Sequence, residues 1–187
     1  MLPMKLRKVL AASSLVIILS DLAIAAEYFY NEGYRFNFTK SAPIGLYRIS
    51  EEKPQKGDWV VFCLASSNPF SVLAKERKYL GQGSCPNGLK PLLKRLVAGT
   101  GDYIAATPQY IRVNRHFLAY SAWRAADSRG RPMPESLLIW NNWSIIKPGM
   151  CLVMSGLNMN TGFDSRYFGL IDEIYLLKVE LILNFYL

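Results

Sequence analysis

The chain predicts a mostly β domain set behind a single N-terminal apolar helix, and three observations carry that expectation. An apolar run over residues 9–26, with one charge at Asp21, follows a basic flank containing Lys5, Arg7 and Lys8. Beyond it, short runs of aliphatic and aromatic residues recur between turns that contain Gly and Pro, which is how short strands read. Only residues 70–80 combine helical apolar spacing with a start signal in that downstream part. The 187 residues suffice for one domain with a core plus a membrane segment, and 51% apolar against 19% charged residues excludes a disordered chain.

Residues 1–8 read as a cytoplasmic basic flank, 9–26 as a transmembrane anchor and 27–187 as an extracytoplasmic domain. The eighteen residues of the run just span a bilayer at roughly 1.5 Å rise each, and basic flanks stay inside. A cleaved signal peptide is the competing reading, because Ala23-Ile24-Ala25 has the form of a cleavage site. Tyr28, Phe29 and Tyr30 suit the membrane interface, and Tyr34, Phe36 and Phe38 alternate as in a strand.

Residues 45–50 predict a strand with Tyr47 and Ile49 on one face, and 53–58 a turn. Residues 59–64 are continuously apolar, as in a strand buried on both faces. Asn68-Pro69 starts the helix over 70–80. Residues 92–97 form an apolar strand holding Lys94 and Arg95, closed by the turn Gly99-Thr100-Gly101-Asp102. Residues 103–105 and 110–113 are strands, Asn114-Arg115 is a two-residue hairpin turn, and polar residues 121–135 are a loop on an inserted small lobe spanning about 106–140. A turn at 145–149 precedes a strand at 151–154. Residues 170–187 are apolar but broken by Asp172, Glu173, Lys178 and Glu180. They predict a strand or helix packed on the domain or the membrane surface, too short to span it.

The formal charge of +8 suits nucleic acid or an anionic membrane surface. No helix-turn-helix pattern or zinc-finger spacing supports the former, so no nucleic-acid partner is expected. Cys63, Cys85 and Cys151 have no histidine beside them, so no metal is expected, and no cofactor either. Outside the cytoplasm a Cys63–Cys85 disulfide is expected, closing the intervening loop; three buried thiols are the alternative.

Ser41 in Thr39-Lys40-Ser41-Ala42-Pro43-Ile44-Gly45-Leu46-Tyr47 is the candidate nucleophile. Serine needs a base, and the one histidine, His116, lies beside a hairpin turn among basic residues, so a Ser-His-Asp triad does not fit. Lys94 can serve if it is neutral. Alternation puts it on a face with Leu92 and Leu96, where burial would lower its pKa. Pro43 and Gly45 set the chain path that holds Ser41 off ordinary strand geometry.

These two stretches, with Gly162-Phe163-Asp164-Ser165-Arg166-Tyr167-Phe168-Gly169, resemble the boxes of the type I signal peptidases. The Ser-x-Pro-x-Gly-Leu-Tyr form is similar to their conjugative-transfer, TraF-type branch. The resemblance covers residues 36–170. It implies a twisted antiparallel fold with an inserted lobe and a catalytic Ser41–Lys94 dyad supported by Asp164. It implies Thr39 as an oxyanion donor beside the Ser41 N–H, and Arg166 as partner of Asp164. The serine that holds the lysine amine in such enzymes is replaced by Gly162, leaving Thr161 or a water to substitute. The implied activity is cleavage of membrane-held precursors on the outer face of the inner membrane, a pilin precursor in particular. A general leader peptidase and a non-catalytic membrane-anchored binding protein are the rival readings.

Overall fold

A computed structural model describes residues 3–138, 143–156 and 162–185, and the chain divides into two units, residues 1–35 and 36–187. The first is built on helix α1 (Met4–Asn31), which runs five residues past the expected end at 26. Its stretch Ala12–Asn31 is long and apolar enough to cross a membrane. Leu15, Ile17, Leu22 and Ile24 are all exposed, so the helix has no single face turned to a core. Ser14 and Ser20 satisfy their hydroxyls on the carbonyls of Leu10 and Val16 one turn back.

With β1 (Tyr34–Asn37), whose last two residues begin the second unit, β2 (Gly45–Ile49), β3 (Trp59–Phe62), β4 (Leu92–Ala98), β9 (Met150–Met154), β10 (Ile171–Asp172) and β11 (Leu177–Asn184) make one sheet among the described residues. Their order is β1-β2-β11-β3-β4-β9-β10. Of the strand or helix expected on the domain or the membrane surface, residues 177–184 are a strand, set inside the sheet between β2 and β3. β11 pairs antiparallel with β2, Val179 opposite Ile49 and Leu181 opposite Tyr47, and with β3, Leu177 opposite Val61. The charges that interrupt its apolar pattern face outward: Lys178 Nζ bonds Glu52 at 2.6 Å. Gly45 serves this packing rather than a turn, because a Cβ there would collide with the carbonyl of Leu183.

β5 (Tyr103–Ala106), β6 (Ile111–Val113), β7 (His116–Phe117) and β8 (Trp143–Ile145) form a smaller sheet in the order β7-β6-β5-β8. Its strands lie within 103–145, the stretch that overlaps the lobe expected over about 106–140. Asn114, at φ 55°, opens the β6–β7 hairpin.

One core packs Val60, Phe62, Leu92, Leu96 and Phe168; a second packs Ile104, Ile111, Val113 and Ile146. β9 serves both, sending Cys151 and Val153 into the first and Leu152 and Met154 into the second. β9 is therefore buried on two faces. β3, expected to be so, buries Val60 and Phe62 while Trp59 and Val61 are only half covered.

Helix α2 (Pro69–Glu76) starts as expected, with Asn68 accepting the Phe70 N–H at 3.0 Å. It ends short of 80 because Lys78 turns left-handed at φ 57° and the Tyr79 N–H bonds back to Ala74. Leu80 packs on the core from outside the helix. The loop over 121–135 was expected on the small lobe, yet Met133 is buried in the first core. Cys63 and Cys85 are disulfide-bonded with Cα atoms 5.5 Å apart. Cys151 is free and buried, its thiol pushed up to about 12 by burial.

Candidate active site

Residues 38–44 form the loop between β1 and β2, and buried Asn37 shapes it. Its Nδ2 donates to the carbonyls of Thr39, Ala42 and Pro43 at 3.0–3.2 Å. Its Oδ1 accepts from the Thr39 N–H at 3.0 Å and the Thr39 hydroxyl at 2.7 Å. Tyr47 reinforces the loop from below, its hydroxyl donating to the Pro43 carbonyl at 2.7 Å. Ser41 Oγ lies 2.9 Å from Thr39 Oγ1. The single Thr39 hydroxyl proton is committed to Asn37, so Ser41 is the donor in this bond. The Ser41 carbonyl accepts from the Gly156 N–H at 2.8 Å, which ties the loop to the end of β9.

Lys94 enters from β4 on the same face as Leu92 and Leu96 and is 4% exposed. Burial lowers its pKa to about 8; the nearby Asp164 charge pulls upward and Arg166 pushes downward. Its Nζ donates to Ser155 Oγ at 2.9 Å. Ser155 is fully buried just past β9, and its N–H donates to Asp164 Oδ2 at 3.0 Å.

Asp164, also fully buried, caps the short helix α3 (Ser165–Phe168) by accepting the Arg166 N–H. It takes a two-pronged bond from the Arg166 guanidinium, 2.8 Å to each oxygen. Arg166 also donates to the carbonyls of Gly162, Tyr120 and Ala122. Asp164 therefore bears on the lysine through Ser155, and its direct partner is Arg166.

With glycine at 162, where Thr161 or a water was expected to substitute, the hydroxyl beside the lysine amine comes from Ser155. A Cβ on Gly162 would collide with Ser155 Oγ and sit 3.0 Å from Asp164 Oδ2, so the glycine vacates the space that Ser155 fills. Thr161 lies outside the described residues. Ser155 and Asn37 escaped the sequence reading. The one available signal for Ser155 was a small polar residue ending a strand buried on both faces.

Thr39, Lys40, Ser41, Lys94 and Gly162 line one groove of about 350 Å³. His116 is exposed on β7, away from it. Asp102 is structural, accepting the Gly99 N–H and pairing with Lys56. Among the described residues no cluster of His, Cys, Asp and Glu could hold a metal.

Residues 6–179 match the signal peptidase, peptidase S26 family. The chain belongs to the S26 signal peptidase family. Two plasmid transfer proteins TraF from Escherichia coli are each 37% identical to it, over 80% and 90% of this chain and 82% and 92% of theirs. A conjugal transfer protein TraF from Agrobacterium fabrum is 32% identical over 78% of each chain. A solved signal peptidase I from Enterococcus faecalis V583 aligns at a TM-score of 0.35 and 20% identity, covering 72% of this chain and all of the other. The S26 match extends into β11, past residue 170 where the motif resemblance ended.

Proposed function

We propose that this S26 protein is a membrane-anchored serine endopeptidase that trims exported precursors with a Ser41–Lys94 dyad. The observation that carries the reading is a buried lysine, held by a serine, lining the same groove as a serine on a rigid loop. Ser41 exchanges Thr39 for Lys94 as its hydrogen-bond acceptor, gives up its proton and attacks the scissile carbonyl. The Ser41 N–H stabilises the oxyanion, joined by the Thr39 hydroxyl once that swings from Asn37. Lys94 then protonates the leaving amine, and the acyl-enzyme is opened by water or by the substrate's own N-terminal amine. Asp164 and Arg166 hold Ser155, and through it the lysine.

The relatives' role in plasmid and conjugal transfer supports a pilin-type precursor as substrate. Helix α1 as anchor, with the domain on the extracytoplasmic side, would present the groove to membrane-held chains, and a disulfide suits that compartment. The test is precursor processing by the parent chain, Ser41→Ala and Lys94→Ala, with products weighed by mass spectrometry. Both variants are expected to be inactive; processing at the parental rate by either overturns the assignment. Product mass also separates hydrolysis from cyclisation, which differ by one water.

A further inference from the structure

The charges of the groove do not cancel. Besides Lys94 it is lined by Lys40, Arg124 and Asp127. Asp127 is already engaged: the Tyr79 hydroxyl donates to it at 2.6 Å and Arg131 Nε at 2.7 Å, and the N–H groups of Arg129 and Arg131 add two more bonds. Lys40 and Arg124 are exposed, and among the described residues neither is ion-paired to a carboxylate. The groove therefore offers two fixed positive charges around the serine to whatever lies in it.

The position of Arg124 is built rather than incidental. The backbone N–H of its neighbour Trp123 donates to the Pro108 carbonyl at 3.0 Å. On one side, Arg166 holds the carbonyls of Tyr120 and Ala122; on the other, the Met133 N–H bonds the carbonyl of Ala125 at 2.8 Å. The Asp164-Ser165-Arg166-Tyr167 stretch thus braces, on one side, the lysine through Ser155 and, on the other, the loop that carries Arg124.

We propose that Lys40 and Arg124 form a carboxylate subsite of the groove, so that the substrate segment drawn across Ser41 carries an anionic group near the scissile bond. An acidic side chain and a free chain terminus offer the same chemistry, and a guanidinium grips either with two parallel bonds. The proposal takes the groove as the peptide-binding site and so rests on the endopeptidase reading, but its test does not need turnover.

The probes are fluorescent decapeptides with alanines at the centre, in three forms: neutral with an amidated end, with one glutamate beside the alanines, and neutral with a free C-terminal carboxylate. Binding is measured by anisotropy on the full-length Ser41→Ala protein in detergent micelles. The glutamate form or the free-carboxylate form is expected to bind about tenfold more tightly than the neutral form, as a charge-assisted bond allows, and whichever does identifies the source. Raising salt to about 0.5 M should shrink the preference, since the pair is solvent-exposed. Arg124→Gln and Lys40→Gln should each reduce it, and Arg124→Lys should retain part. Equal binding of all three peptides, or no measurable binding of any, overturns the subsite. If the preference holds but the parent chain cleaves no precursor, the endopeptidase reading fails and the subsite stands.

Discussion

Ser155 touches the lysine with its side chain and the buried carboxylate with its backbone, so one residue couples Lys94 to Asp164. Ser155→Ala should leave the amine buried but loosely aimed. We expect kcat for precursor processing to fall by about ten- to a hundredfold with KM little changed, since general-base catalysis of this kind contributes 10²–10⁴-fold. Gly162→Ser should inactivate by crowding Ser155. The double variant Ser155→Ala, Gly162→Ser should recover part of the activity by returning a hydroxyl from the other side; a double variant no better than Gly162→Ser would show that the two positions do not share one space.

The lysine also sets the pH response. Only neutral Lys94 is a base, so kcat/KM should rise with pH through a midpoint near 8. Its folded pKa lies below the unfolded value, so the penalty for the buried charge is fully present below about 8 and disappears as pH rises towards the ordinary lysine value. Denaturant titration should show the parent gaining stability across that window, on the order of 3 kcal/mol from the shift. Lys94→Met should lack the gain and be the more stable protein at neutral pH.

Ser41 and Lys94, which line one groove, were singled out by the resemblance of their stretches to the signal peptidase boxes, with alternation placing Lys94 beside Leu92 and Leu96. Ser155 and Asn37 were not. Ser155 meets Lys94 from 61 residues away in sequence, a distance that only the folded sheet closes.

At the level of elements, the start of α2 was readable from Asn68-Pro69, but its end was not. A lysine in the left-handed region stops it, and lysine carries no turn signal of its own. The two-sided burial expected for β3 fell instead to β9, because apolar runs look alike whether one face or both are covered. The tail, expected as a strand or helix packed on the domain or the membrane surface, is a strand inside the sheet despite its charges. They are tolerated because a strand can be central in its hydrogen bonds while one of its faces meets solvent. A chain cut after residue 176 should lose β11 and fail to fold cooperatively, shown by proteolysis of the whole second unit. Protection equal to the parent's would contradict the topology.

Across the whole molecule, the Cys63–Cys85 bond clips the loop carrying α2 back to the end of β3. Reduction, or Cys63→Ser with Cys85→Ser, should cost roughly 3 kcal/mol by the entropy of loop closure. It should also blur the groove, because Leu80 on that loop and Pro91 just beyond it are among its walls.

The order of the sheet has a further consequence for biosynthesis. β11 leaves the ribosome after every other described element, yet β2 and β3 meet only through it. Until residues up to 184 are free to fold, the two sides of the sheet have nothing to zip against. A chain folding from its N-terminal side therefore cannot complete the sheet beneath the groove until this strand arrives.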